Sequence, residues 1–309
     1  MKEKVFDNSI DLIVTDPPYN IGKDEWDKIE NYIKWCGEWI KQCERVLKDN
    51  GSFYFFHNDF KVLAELQNWI KENTEFKFKQ FINWNKIDES FYNYGFVQQR
   101  LSVDSMRNYY GGFTEYCLFY TFQHETKLGE NSPIAKYLKK EFNRAGVNSR
   151  EIAKLFPSKN GNITGCVFNW LNGDNVITKE QYLKLINDLG DNYLQKSYEK
   201  LIDEYEKARY TFNVQRVKDN LRANSNDWHY PPAEKRGHIT PKPLPVIRNI
   251  VKHSSNKRDI VLDCFGGSGT TAKVCQKLNR KYILFETEKE YIKLIENRLR
   301  QRSLFANAN

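Results

Sequence analysis

From Ile260 to Phe285 the sequence reads as a short apolar run, a glycine-rich turn, an amphipathic helix and a second short apolar run, an order that allows few folds. Ile260-Val261-Leu262-Asp263 has the length and character of a buried strand. The turn Asp263-Cys264-Phe265-Gly266-Gly267-Ser268-Gly269-Thr270-Thr271 leads into a helix over 270–278, and the next strand spans Tyr282 to Phe285. Two strands joined through a helix run parallel, and a parallel sheet needs helices on both faces. The first third of the chain repeats the alternation. Ile10 to Thr15 reads as a strand that ends at Asp16-Pro17-Pro18-Tyr19, where two adjacent prolines forbid further ladder pairing. Over about residues 32–47, Ile33, Ile40, Cys43, Val46 and Leu47 fall near one helical face, and Asn50-Gly51 is expected to stop that helix before a strand from Ser52 to Phe56. A helix over about 59–71, a strand over 78–84, and a buried strand from Glu115 to Phe122 bounded by Gly111-Gly112 follow. The expected class is α/β, a largely parallel, doubly wound sheet.

From about Leu128 to Tyr230 the character changes to Lys, Glu and Asn with helical periodicity, which reads as an inserted helical module. Within it, Ser149 to Phe156, a Gly-containing turn, and Thr164 to Leu171 stand in helix-turn-helix order, an order that an ordinary packed helix pair also produces. A final basic helix ends near Arg300, and no internal repeat or long low-complexity tract is present. With 309 residues, 40% hydrophobic and 15% aromatic, the chain can bury one large core, or one core plus a smaller inserted domain. The formal charge of +8 fits a polyanionic partner such as nucleic acid. Cys36, Cys43, Cys117, Cys166, Cys264 and Cys275 form no CxxC pair and no Cys/His cluster with zinc spacing, so reduced thiols and no metal site are expected. No run approaches the roughly 18 apolar residues of a membrane span, and a cytoplasmic protein without a membrane partner is the expectation.

Two constellations carry chemistry. The glycine-rich turn lies where nucleotide-like cofactors bind in doubly wound sheets, although such a turn can also serve geometry alone; the lysine of a GxxxxGK[ST] phosphate loop is absent. Glu286 closes the following strand, where a carboxylate accepts hydrogen bonds from both ribose hydroxyls; a surface glutamate is the alternative, with Glu288 and Glu290 beside it. Asp16-Pro17-Pro18-Tyr19 suits a nitrogen nucleophile. An exocyclic amine conjugated to a base is a poor nucleophile until its lone pair is localised. Asp16 and the Pro17 carbonyl, accepting its two N–H bonds, favour a tetrahedral nitrogen, Pro18 holds the turn rigid, and Tyr19 can stack on the base. Taken alone, the same four residues could simply end a strand.

The two motifs in this order resemble the β-class amino-group (N6-adenine/N4-cytosine) site-specific DNA methyltransferases, which carry the catalytic motif first and the cofactor loop last. Val46 to Ser52, Asn83-Trp84-Asn85-Lys86, Thr114-Glu115-Tyr116 and His238-Ile239-Thr240-Pro241-Lys242-Pro243 are similar to family segments in the same order. The resemblance implies a Rossmann-like methyltransferase sheet split as residues 1–127 and 231–309, with 128–230 as a helical target-recognition insertion. It implies S-adenosyl-L-methionine as cofactor, held by Asp263, Phe265, Gly266, Gly267, Ser268, Gly269, Thr270 and Glu286, with Thr240 and Lys242 on its methionine side. Asp16, Pro17, Pro18 and Tyr19 would be catalytic, acting on a base flipped out of double-stranded DNA. Asp rather than Ser at the head of the motif favours adenine-N6 over cytosine-N4. An RNA or protein-glutamine methyltransferase usually starts that motif with Asn and places it after the cofactor loop. A catalytically idle helix-turn-helix DNA-binding protein is the rival from another class. A homodimer and a cognate restriction enzyme are partners compatible with the resemblance, which selects neither. Cys264 and Pro241 depart from the family's usual proline and glutamine. Relatives usually carry a further strand before the catalytic one; a missing strand and a missing adenosine contact are therefore one expectation, and partial substitution by Asp7-Asn8 another.

Overall fold

The computed structural model describes residues 3–22, 24–86, 113–123, 128–213, 224–234, 237 and 240–300. The chain divides into two compact units, Met1–His124 with Thr211–Asn309, and Glu125–Tyr210. Among the described residues, no helix is long and apolar enough to cross a membrane.

The first unit is built on a sheet of seven described strands: β1 (Ile10–Thr15), β2 (Leu47–His57), β3 (Lys77–Asn85), β4 (Thr114–Thr121), β5 (Asp227–His229), β6 (Ile260–Asp263) and β7 (Lys281–Leu284), in the order β5-β3-β4-β2-β1-β6-β7. The helices are α1 (Tyr32–Val46), α2 (Phe60–Asn73), α8 (Leu244–Ser254), α9 (Thr270–Leu278) and α10 (Lys289–Arg300), numbered with those of the second unit. β1 pairs in parallel with β2 on one side and with β6 on the other, Leu12 opposite Val261 and Ile13 opposite Leu262. That neighbour relation brings Asp16, just beyond β1, beside the glycine loop just beyond β6. The core against α1 and α2 is aromatic: Phe53, Phe55, Phe76 and Tyr120 are buried together, with Phe53 stacked on Phe76 at 5.0 Å between ring centres. Each such side chain removed from water contributes about 1.5–3 kcal/mol.

The sheet is largely parallel, as expected, and mixed in one place: among the described strands β4 alone runs antiparallel to its neighbours, β2 and β3. Two expectations are corrected. Asn50-Gly51 does not stop α1, which ends at Val46, where Leu47 turns extended and donates its N–H to Cys43 O. β2 begins at that residue, and its register against β1 slips, Ile10 facing Leu47 but Leu12 facing Ser52. Gly51 is required in this bulge because a Cβ there would meet Leu47 Cδ1 at 2.6 Å and Lys48 O at 2.9 Å. Finally, the described residues 211–213 and 224–230 do not continue the insertion, whose unit ends at Tyr210. β5 pairs in parallel with β3, Trp84 donates Nε1–H to Tyr230 O at 2.8 Å, and Asn213 donates to His253 O.

The second unit is helical: α3 (Pro133–Ala145), α4 (Ser149–Ala153), α5 (Cys166–Leu171), α6 (Lys179–Leu189) and α7 (Tyr198–Ala208). Its boundaries follow from local chemistry. Ser132 caps α3 ahead of Pro133, Gly146 ends it at φ +67, and capping boxes start α4 (Asn148/Glu151) and α6 (Thr178/Gln181). Ile152 and Ala153 of α4 and Val167 and Trp170 of α5 share one buried core with Leu138, Phe142, Tyr182 and Leu185. The two short helices expected in helix-turn-helix order are therefore present and packed, joined through a turn closed by a Pro157–Ile163 bridge.

Candidate active site

β1 and β6 end at one pocket in the first unit, a cavity of about 300 Å³. Its walls include Asp16, Pro17, Pro18 and Tyr19, Asp263, Phe265, Gly266, Gly267, Ser268 and Thr270, and Glu286, Thr240 and Lys242. Of the candidate catalytic and cofactor-binding residues named above, Gly269 alone is not on the wall; it precedes α9 at φ +72, where a Cβ would press on Ile295 at 3.1 Å. His238 and Ile239 of the His-x-Thr-x-Lys-Pro segment lie outside the described residues, as do Gly111-Gly112. Trp84 and Trp170 are buried and serve packing. Asp7 pairs with Arg45 ahead of β1, at the far end of that strand from Asp16, and Asp7-Asn8 do not line the pocket.

On the glycine-loop side, Asp263 is buried and accepts from Thr15 Oγ1 (3.0 Å), Thr271 Oγ1 (2.7 Å) and the Phe265 N–H (3.1 Å), which ties β1, β6 and α9 at one carboxyl. Cys264 donates its N–H to Thr15 Oγ1 at 3.1 Å, a bond that a proline here could not make. Glu286 accepts from Gly267 N at 2.7 Å and from Thr287 N and Glu288 N at 2.7 and 3.0 Å. Arg298 of α10 donates to Ser268 O at 2.7 Å and fixes the loop from outside.

Burial raises the pKa of Asp263 to about 7, against hydrogen bonds from Thr271, Phe265 and Thr15 that pull it down. Unfolded, the same carboxyl titrates near 3.8, so between these values the unfolded chain has released a proton that the folded one retains. Its contribution to stability is therefore full below the unfolded pKa and declines by roughly 1.4 kcal/mol per pH unit as pH rises towards the folded one. Asp263→Asn should flatten the fall of Tm between about pH 5 and about pH 7; an unaltered slope would contradict this assignment.

On the other side, Tyr19 is buried under its own motif. Its hydroxyl lies 2.7 Å from Asp16 Oδ1 and 3.1 Å from Glu115 Oε2, and its ring sits 4.7 Å from that of His57. Burial, aided by the Asp16 and Glu115 charges, raises its pKa well above the ordinary tyrosine value, and burial lowers that of His57. The Pro18 carbonyl accepts from Tyr32 Oη at 2.5 Å; among the described residues no donor reaches the Pro17 carbonyl. Asn20 N and Ile21 N donate to the buried Asp27 at 2.6 and 3.1 Å, which folds the loop after the motif back on itself.

Lys242, expected on the cofactor side, is committed elsewhere. Its Nζ is 2.5 Å from Asp16 Oδ2, 3.1 Å from Glu115 Oε2 and 3.0 Å from Tyr19 Oη. Glu115 Oε1 in turn lies 2.5 Å from Lys86 Nζ. Burial works against the Glu115 carboxylate, yet Lys242 and Lys86 hold its pKa at about 2; burial likewise opposes the Lys242 ammonium, and Asp16 and Glu115 outweigh it, raising its pKa. Glu115 and Lys86 fall in segments already similar to the family, but sequence alone assigns them no role. A charged residue at a strand end ordinarily faces water.

The sequence profile of the family described as DNA methylase (N6_N4_Mtase) matches residues 10–297, and the chain belongs to that family. It is a DNA methyltransferase. Type II methyltransferase M1.MboII of Moraxella bovis is 26% identical, over 94% of this chain and 89% of its own. DNA adenine methyltransferase YhdJ of Escherichia coli (strain K12) is 28% identical, over 96% of this chain and 78% of its own. The solved structure of PvuII DNA methyltransferase (cytosine-N4-specific) matches with a TM-score of 0.56 at 14% identity, over 96% of this chain and 81% of that one, and shares the fold.

Proposed function

We propose that the protein methylates N6 of an adenine flipped out of double-stranded DNA, with S-adenosyl-L-methionine as donor. The observation that carries this reading is the pair of acceptors at Asp16 and Pro17. An exocyclic amine offers two N–H bonds; the Asp16 carboxylate is on the pocket wall, and the Pro17 carbonyl is free among the described residues whereas its neighbour on Pro18 is taken. Accepting both bonds localises the nitrogen lone pair and stabilises the charge that develops on nitrogen. Both Asp16 oxygens already hold a donor, so the amine displaces or shares with the Tyr19 hydroxyl or the Lys242 ammonium.

The opposite half of the pocket fits the cofactor. Bare backbone borders it at Gly266, where a Cβ would meet Phe285 O at 3.3 Å. Glu286 uses three of about four acceptor sites on backbone N–H groups and keeps capacity for a ribose hydroxyl. Asp263, Phe265, Gly267, Ser268 and Thr270 complete that side, and Thr240 reaches it from the segment before α8. When bound, the cofactor supplies a sulfonium methyl group. Asp16 and Pro17 hold the amine, the Tyr19 hydroxyl steadies Asp16 at 2.7 Å, and Phe265 packs against Trp35 and Trp39 at 5.6 Å to keep the loop in place. The choice of adenine rests on Asp at the head of the motif, together with the adenine enzyme YhdJ among the relatives.

The helical unit is read as the target-recognition module, with α4 and α5 facing the duplex. Arg150, Lys154 and Lys159 in and after α4 have no ion pair among the described residues. By contrast Lys179, Lys196 and Lys207, around α6 and α7, pair with Glu199, Glu204 and Asp203. Phosphates favour the unpaired cations. In a host without DNA methylation, expression of the protein should leave N6-methyladenine within one short sequence context when the genome is read base by base. N4-methylcytosine would transfer the same geometry to the other base, and unmodified DNA would refute the proposal.

A further inference from the structure

Charge alternates along a buried row that ends at the pocket: Lys86, Glu115, Lys242, Asp16. The side chains of Lys86, Glu115 and Lys242 are 12%, 11% and 7% exposed, and that of Asp16, the outermost, 24%. An ammonium carries three protons, and Lys242 faces three acceptors, Asp16 Oδ2, Glu115 Oε2 and Tyr19 Oη. The rings of Tyr19, Phe56 and Trp84 enclose it at 5.2, 5.2 and 5.8 Å. The backbone carbonyl of Lys242 accepts from Thr270 Oγ1 at 3.1 Å, so the residue is tied to the start of α9 as well.

Burying this row is costly, and a well-packed apolar set would hold the sheet at least as well. What an apolar set could not do is hold the Asp16 carboxylate in one orientation through a hydrogen bond. Were Lys242 paired with Asp16 alone, its charge would be spent on the very carboxylate that must accept the amine. Glu115 supplies the second anion, so the row is neutral overall, two cations against two anions, and Asp16 keeps acceptor strength for the substrate. Lys86 on Oε1 fixes Glu115 so that Oε2 faces Lys242.

We propose that Glu115, held by Lys86, is a positioning residue for methyl transfer: it anchors Lys242 and thereby sets the orientation of the Asp16 carboxylate. This rests on the reading of Asp16 as the group that takes the amine. The test uses the full chain with S-adenosyl-L-methionine and unmethylated DNA. Glu115→Gln, which keeps shape and removes charge, should lower kcat by about 10- to 100-fold while KM for both substrates stays within about 3-fold. Lys86→Met should lower kcat by about 3- to 10-fold. Combined with Asp16→Asn, Glu115→Gln should add no further loss, because it acts through Asp16. A Glu115→Gln enzyme with wild-type kcat overturns the proposal, as does one whose loss lies in KM. If Glu115→Gln fails to fold, Lys86→Met decides, and unchanged turnover there overturns it. Wild-type turnover in Asp16→Asn would instead remove the reading of Asp16 beneath it.

Discussion

Asp16→Ala is expected to lower the rate of methyl transfer by at least ~10²-fold while S-adenosyl-L-methionine binds as it does to the wild type. The two effects separate because Asp16 touches only the base side of the pocket. Its hydrogen-bond partners among the described residues are Tyr19 and Lys242, and neither contributes to the hydrogen bonds that fix Glu286 or Asp263. Removing the carboxylate leaves Lys242 paired with Glu115, and the row then carries one cation in excess. With a side chain 24% exposed on the pocket, the truncation opens to solvent rather than leaving a sealed void. Cofactor titration beside single-turnover rates checks the prediction. A loss of cofactor affinity equal to the loss of rate would give Asp16 a different role.

Gly173→Ala is expected to damage the helical unit by about 2–4 kcal/mol, more than any ordinary surface change. Gly173 has φ +71, which L side chains rarely adopt, and a Cβ there would lie 1.9 Å from Gly129 O and 2.5 Å from Gly129 C. Both are backbone atoms, and they cannot swing aside as the end of a lysine can. Gly173 directly follows the α5 C-cap, and its N–H bonds to Trp170 O, so the strain is transmitted to the Trp170 core. Hydrogen exchange over residues 133–208 should rise, and DNA affinity should fall with it, while cofactor affinity is retained. A loosened unit with unchanged DNA affinity would contradict its reading as the target-recognition module.

The strand–loop–helix–strand unit at 260–285 and the proline turn after β1 were legible because glycine and proline act locally, through φ and the missing N–H. What was hidden depends on pairing. The antiparallel sense of β4 leaves no mark on a strand buried on both faces, since Cys117, Leu118, Phe119 and Tyr120 suit either direction. β5 is three residues long and gains its place from β3, far away in sequence. Asn50-Gly51 has the composition of a helix stop and forms a bulge, because Leu47 is drawn into the core and starts β2 early. At the site, Lys242 was expected beside the cofactor on family grounds, but the acceptor it meets, Asp16, lies 226 residues away in the chain. Only the pairing of β1 with β6 and the packing of Glu115 beside Tyr19 reveal where its charge is used.

The most direct test of the central claim is a single-turnover reaction of the full chain with methyl-labelled S-adenosyl-L-methionine and unmethylated double-stranded DNA, digested to nucleosides and resolved by mass spectrometry. The account predicts label in N6-methyladenine from the wild type and none from Asp16→Ala. Label in N4-methylcytosine, or equal label from both proteins, would contradict it.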